Sequence, residues 1–268
     1  MPDLSKASFT APPEEHSFQA LLFDMDGTII DSTPAIEKYW AGIGAEIGVD
    51  PATILATSHG RRSIDTLAIL APHLANWDYI CKAEGLVPLQ HGSDAVEIPG
   101  ARALLSSLEA ASVPWAIVTS GTRPLVQGWI DVMKLAQPRN LITAEQVEKG
   151  KPDPAAYLLG AERLGITFPS PSPSPATSSV ANGTTNNTIS KGTDKGRDIL
   201  VLEDAPSGIR AGKAAGFKVV ALATSHEIPQ LREAGADWIV RDMRSVVMKR
   251  WDAGAKRVVV EISEALVD

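Results

Sequence analysis

The stretch Phe23-Asp24-Met25-Asp26-Gly27-Thr28 sets two carboxylates two residues apart, followed by a glycine and a hydroxyl. In an extended chain, residues at that spacing leave on the same face. Carboxylates held so close repel one another unless a cation or a proton lies between them. A pair of hard oxygen ligands of this kind points to Mg²⁺. One of the two acids is then suited to nucleophilic attack and the other to moving a proton. An Asp-Gly pair is also ordinary turn chemistry, so the reading needs support from elsewhere in the chain.

Three other runs supply it. Thr119-Ser120-Gly121 offers a hydroxyl and backbone N–H groups to a phosphoryl oxygen. Lys151, in the turn Lys149-Gly150-Lys151-Pro152-Asp153-Pro154, can bring an ammonium over the same place, while Lys149 reads as a solvated surface charge. Glu203-Asp204 closes the run Ile199-Leu200-Val201-Leu202. Two acids there are costly to desolvate without a cation or hydrogen-bond donors. Singly, these would be a turn, a surface lysine and a helix N-cap ahead of Pro206. Together they place the parts of a phosphate–Mg²⁺ site at the ends of apolar runs.

Those runs are the elements that must do the positioning. Leu21-Leu22-Phe23, Trp115-Ala116-Ile117-Val118 and the run before Glu203 read as buried strands of a parallel sheet. In such a sheet, chemistry collects beyond the carboxyl ends of the strands. Thr33 and Pro34 read as the N-cap and first residue of a helix. Ile36, Tyr39, Trp40, Ile43 and Ile47 continue it at helical spacing. Helical patterning without strands then persists to about residue 84, and the polar run 90–94 reads as the return to the sheet. The expected domains are a core of residues 18–32 and 95–268 with a helical cap at 33–94. Further strands are expected at 218–223 and 237–240, with a C-terminal hairpin over 246–251 and 257–262. Residues 1–17 read as a disordered tail. The Ser/Pro/Asn/Thr-rich segment at about 168–197 reads as a disordered insertion, because such a composition has too little apolar surface to bury.

Composition narrows the class. The 268 residues carry 25 Lys and Arg against 32 Asp and Glu, a net charge of −7, which argues against a nucleic-acid partner. The single Cys81 excludes an intramolecular disulfide and fits a reducing compartment. Residues 1–17 lack the apolar core of a secretory signal. No stretch approaches the roughly 18 apolar residues of a membrane span. The expectation is a cytoplasmic, soluble monomer with no membrane partner.

Asp24-Met25-Asp26-Gly27-Thr28, Thr119, Lys151 and Glu203-Asp204 resemble, in order and setting, the four motifs of the haloacid dehalogenase superfamily. The Asp-x-Asp-Gly-Thr start, the Glu-Asp pair and the helical insertion look like its β-phosphoglucomutase-like branch. Thr57-Ser58-His59-Gly60-Arg61-Arg62, Ile98-Pro99-Gly100-Ala101, Thr119-Ser120-Gly121-Thr122-Arg123 and Glu203-Asp204-Ala205-Pro206-Ser207-Gly208-Ile209 are similar to runs of the glycerol-1-phosphatases and 2-deoxyglucose-6-phosphatases. The resemblance implies an α/β fold: a Rossmann-like parallel sheet with helices on both faces and a small α-helical cap inserted after the first strand. It implies Asp24 as nucleophile and Asp26 as general acid and base. Mg²⁺ would be held by Asp24, the Asp26 backbone carbonyl and Asp204, with Glu203 in support. Thr119, the Ser120 amide and Lys151 would steady the phosphoryl group. His59, Arg61 and Arg62 of the cap would read a small phosphorylated sugar or polyol. A hexose-phosphate mutase and a non-catalytic phosphosugar-binding protein remain open on the same residues.

Overall fold

The computed structural model describes residues 2, 4–58, 60–166 and 198–267. The strands are, in chain order, β1 (Glu14–Phe18), β2 (Ala20–Phe23), β3 (Ile30–Asp31), β4 (Val96–Glu97), β5 (Trp115–Val118) and β6 (Leu141–Ile142). They continue with β7 (Ile199–Glu203), β8 (Lys218–Leu222), β9 (Trp238–Val240), β10 (Val246–Asp252) and β11 (Arg257–Ile262). Six of them form one parallel sheet in the order β6-β5-β2-β7-β8-β9. The chain builds outward from β2 in one direction through β5 and β6, and in the other through β7, β8 and β9. The strand order therefore reverses between β2 and β7, and the crevice at such a reversal is where ligands bind in open α/β sheets.

The central strands β2 and β5 are apolar at every position, and β7 is apolar up to Glu203, because both faces are covered. Leu21 and Phe23 enter one core with Leu104, Leu108 and Val126, whereas Leu22 enters the other with Tyr157, Ile209 and Val219. The first face is covered by α5 (Ala101–Ala110) and α6 (Arg123–Met133), which follow the four cap helices described next; the second is covered by α7 (Ala155–Arg163), α8 (Pro206–Ala214) and α9 (Ile228–Glu233). Small residues let α8 lie close to the sheet. A Cβ at Gly212 would come within 2.9 Å of the Val219 side chain.

The cap helices α1 (Thr33–Ile47), α2 (Pro51–Ser58), α3 (Ser63–Leu70) and α4 (Trp77–His91) lie between β3 and β4. Those two short strands pair antiparallel, Ile30 with Glu97 and Asp31 with Val96, so the chain leaves and re-enters the core side by side. Helix α1 begins one residue early: Ser32 is its N-cap and Pro34 sits in its first turn, where a missing N–H costs nothing. The polar run at 90–94 finishes α4 and forms a 3₁₀ turn at Gly92–Asp94, leaving β4 as the returning element.

The tail expected over residues 1–17 is corrected. Glu14–Phe18 forms β1 and pairs antiparallel with β11, from Glu14↔Ile262 to Phe18↔Val258, and Phe9 bridges Leu266. The strand Glu-Glu-His-Ser-Phe is polar because only its end, Phe18, is buried. Its order comes from backbone hydrogen bonds to a partner some 240 residues away, which composition cannot report. With β10 it makes a three-stranded sheet in the order β1-β11-β10. Among the described residues, no helix is long and apolar enough to cross a membrane.

Candidate active site

The sheet brings the acidic runs together because β2 and β7 are neighbours. The Asp24 N–H still donates to the Leu202 carbonyl at 3.0 Å, so the ladder holds up to the first acid. The chain then turns through Gly27 at φ +88°, where a Cβ would overlap the Asp204 carboxylate. Only glycine lets the backbone pass that close in this conformation. Lys151 reaches the same point from the turn ahead of α7. Its ammonium donates to Asp24 Oδ1 at 2.6 Å, to Glu203 Oε1 at 2.6 Å and to the Val118 carbonyl at 3.0 Å. One buried lysine thus joins the ends of β2, β5 and β7.

Glu203 is fully occupied in holding that lysine. Tyr157 donates to its Oε1 at 2.7 Å, and the Asp204 and Ala205 N–H groups donate to its Oε2 at 3.1 and 3.0 Å. The Tyr157 ring also lies 4.9 Å from the ammonium. Asp204 faces the other way, accepting from Thr28 Oγ1 at 3.1 Å and from the Ser225 hydroxyl. Asp26 accepts from Ser32 Oγ at 2.5 Å. The hydroxyl of Thr119 accepts from the Gly121 N–H at 3.0 Å, which shapes the turn after β5.

The electrostatics call for another positive charge. Burial raises the Asp24 pKa well above the carboxylate range; Lys151 lowers it, and Glu203 and Asp204 raise it further. Asp204 is pushed up to about 7 by burial and by Glu203, against the pull of Ser225, Thr28 and Lys151. Asp24, Glu203 and Asp204 each bring a carboxylate oxygen within 4.8 Å of the others. A buried, all-oxygen, over-acidic cluster fits a hard divalent cation. With Glu203 committed to Lys151, the acids able to hold Mg²⁺ are Asp24 and Asp204. Asp26 is raised by burial and lowered by Ser32 and Lys151, with a net rise in the direction a general acid needs.

A cavity of about 90 Å³ separates these groups from the cap. Asp24, Asp26 and Ser120 line the core side, and Tyr39, Arg61 and Glu84 line the cap side. Ser120 Oγ and Ser207 Oγ both donate to the Gly60 carbonyl at 3.1 Å, docking the cap on two core turns.

The haloacid dehalogenase-like hydrolase family matches residues 18–216, from the end of β1 to just past α8. The chain belongs to that family. Glycerol-1-phosphate phosphohydrolase 1 of Saccharomyces cerevisiae (strain ATCC 204508 / S288c) is 38% identical over 251 residues, which is 93% of this chain and 92% of that protein. 2-deoxyglucose-6-phosphate phosphatase 1 of the same yeast is 33% identical over 269 residues, 94% of this chain and 98% of that one. The crystal structure of a putative beta-phosphoglucomutase from Thermotoga maritima shares the fold, with a TM-score of 0.55 at 22% identity, over 84% of this chain and 95% of that chain.

In this hydrolase the sequence motifs converge: Asp24, Asp26, Thr119, Ser120, Lys151, Glu203 and Asp204 meet at adjacent strand ends. The cap residues divide. His59 and the 168–197 insertion lie outside the described residues. Arg61 is exposed and lines the cavity. Arg62 is corrected. It is 5% exposed, and its guanidinium donates to both Asp65 oxygens and to the carbonyls of Ala144, Val147 and Glu148. Five hydrogen bonds use all its donors, so none is left for a substrate. It clasps the cap to the core loop that leads to Lys151. Arg62→Ala is therefore expected to lower kcat/KM by roughly ten- to a hundred-fold, the loss of hydrogen bonds from a charged group. Steady-state kinetics should show nearly equal losses for a small and a large ester; a loss confined to the large one would return Arg62 to substrate reading.

Several residues had no legible signal. Tyr157, Ser32 and Ser225 act across turns from the motifs they support. Glu84 lies in a helix whose local pattern gives no reason to single it out.

Proposed function

We propose that this hydrolase is a Mg²⁺-dependent phosphomonoester hydrolase acting on a small sugar or polyol phosphate through an aspartyl-phosphate. The observation that carries the reading is the buried Asp24 carboxylate at the strand reversal, tied to Lys151 and sharing one cavity with Asp26. The substrate class is supported by the glycerol phosphate and deoxyglucose phosphate esters that the two relatives are named for.

An Asp24 oxygen attacks phosphorus, and the bond from phosphorus to the substrate alcohol breaks as Asp26 gives that oxygen its proton. Asp26, now ionised, takes a proton from water as the water oxygen attacks phosphorus, and the Asp24–phosphorus bond breaks. Thr119 and the Ser120 N–H present donors to the phosphoryl oxygens throughout, and Lys151, its three hydrogens held by Asp24, Glu203 and the Val118 carbonyl, supplies positive charge beside them. Asp24, the Asp26 carbonyl and Asp204 would hold Mg²⁺, which would supply charge neutralisation at those oxygens. Ser32 orients Asp26, and the docked cap excludes bulk water.

The test is orthophosphate release from glycerol phosphate, a hexitol phosphate and 2-deoxyglucose 6-phosphate, with Mg²⁺ and with EDTA. Stoichiometric release that EDTA removes is expected. Conversion to an isomeric sugar phosphate without orthophosphate, or no turnover of any ester, overturns the reading. Asp26→Asn adds a sharper check. It should lower kcat/KM for alkyl esters by about 10²–10⁴-fold, the usual worth of general acid–base catalysis. A 4-nitrophenyl ester, whose leaving group needs no proton, should lose much less. Equal losses on both would remove Asp26 from the acid's role.

A further inference from the structure

Glu84 is a buried carboxylate in the cap that the mechanism above does not use. It is 4% exposed, and among the described residues no cation pairs with it. Ser63 Oγ donates to its Oε1 at 2.5 Å, and the Thr122 N–H donates to its Oε2 at 2.8 Å. Tyr39 OH in turn donates to Ser63 Oγ at 3.3 Å, which directs the Ser63 proton toward Glu84. Thr122 is the N-cap of α6, so the carboxylate sits at a helix N-terminus, where negative charge is favoured. Burial raises its pKa, and the bonds from Ser63 and Thr122 lower it, with Asp26 adding to the rise.

The two oxygens of a carboxylate have about four acceptor positions, and among the described residues the Ser63 hydroxyl and the Thr122 N–H fill two of them. The remaining capacity opens on the cavity that also holds Asp24 and Asp26. Phosphate chemistry occupies the core side, so whatever is attached to the phosphate must lie toward Glu84. A hydroxyl there finds an acceptor. A second anion there meets an unpaired, desolvated negative charge, and charges in such surroundings are weakly screened. Arg61 does not offset this, because it is exposed at the rim, where solvent weakens its field.

We propose that Glu84 reads the alcohol half of the substrate, accepting a hydrogen bond from a hydroxyl and rejecting esters that carry a second anion. The substrate class is then neutral polyol and sugar monophosphates, to the exclusion of phosphorylated carboxylic acids and bisphosphates. This rests on the phosphatase reading and deepens it.

The test compares glycerol 3-phosphate with 3-phosphoglycerate, which share a phosphorylated three-carbon chain ending in CH₂OH or in a carboxylate. 4-nitrophenyl phosphate serves as the reference. The wild-type protein should prefer the polyol ester by at least about 100-fold in kcat/KM, as expected when a buried polar group is matched or opposed. E84Q, nearly isosteric and still able to accept from Thr122, should narrow that ratio at least about tenfold, mainly by gain on the acid ester. E84D keeps the charge and should still reject the acid ester while losing rate on the polyol ester. Equal loss on all three esters in E84Q would make Glu84 a mere clasp between cap and core, and the proposal would fall. It would fall too if E84D discriminated no better than E84Q. A wild-type protein that cleaves both three-carbon esters equally overturns the proposal and leaves the phosphatase reading standing, whatever the variants' folding. No release from any ester removes that reading and the proposal with it.

Discussion

Asp24→Asn is expected to abolish turnover, by at least about 10⁴-fold, while leaving the fold intact. Asparagine keeps the volume but is no nucleophile, and it withdraws one of the two carboxylates free to hold Mg²⁺. The fold should tolerate the change for a reason visible in the cluster. Two buried acids share one lysine with a third, Asp204, close by, so burial and mutual repulsion already hold the Asp24 pKa well up, with Lys151 opposing. Removing one negative charge relieves that repulsion, and Lys151 keeps its 2.6 Å partner Glu203 and the Val118 carbonyl. A melting temperature equal to or above that of the wild type, together with no detectable orthophosphate, is the expected pair of results. Near-normal release by the folded variant would end the covalent mechanism.

Lys151→Met should be damaging in both respects. The lysine is 5% exposed, and all three of its ammonium hydrogens are used. Burial alone would lower its pKa, but the Asp24 and Glu203 carboxylates outweigh that and hold it above the ordinary lysine value. It therefore stays charged at any working pH. Methionine fills the space and leaves two desolvated carboxylates without their cation. Breaking a buried pair in this way costs about 3–5 kcal/mol, to be read as a lower denaturant midpoint at unchanged slope. Turnover should be lost as well, since the transferring phosphoryl group loses the positive charge held beside Asp24. Adding Glu203→Gln to Lys151→Met should restore part of the stability, because it removes one stranded charge, and none of the activity. An unchanged midpoint in the single variant would mean that the three-strand tie contributes nothing to stability.

Both predictions concern residues that could be picked out before any coordinates. A parallel strand covered on both faces must be apolar throughout, so Leu21-Leu22-Phe23 and Ile199–Leu202 announce themselves, and so does the point where each stops. Asp24, Asp26, Glu203 and Asp204 stand at those stops, Thr119 stands at the end of the equally apolar Trp115–Val118, and Lys151 stands in a turn rich in Gly and Pro. The helical insertion was legible for a similar reason: Ile36, Tyr39, Trp40, Ile43 and Ile47 repeat at the period of a helix with one buried face.

What separates neighbours was decided by the tertiary structure alone. Glu203 and Asp204 are adjacent acids, yet the strand's alternation sends one to Lys151 and Tyr157 and the other to Thr28 and Ser225. Arg61 and Arg62 are adjacent guanidinium groups, yet the start of α3 leaves the first at the cavity rim and folds the second onto three carbonyls of residues 144–148. Strand β1 and Glu84 make the same point. Their partners, β11 for the one and Thr122 of the core for the other, are distant in sequence and leave no local period. Local pattern encodes which faces are buried and where strands end. Which of two like side chains meets a given partner depends on contacts between elements far apart in the chain, and those exist only once the sheet has assembled and the cap has docked on it.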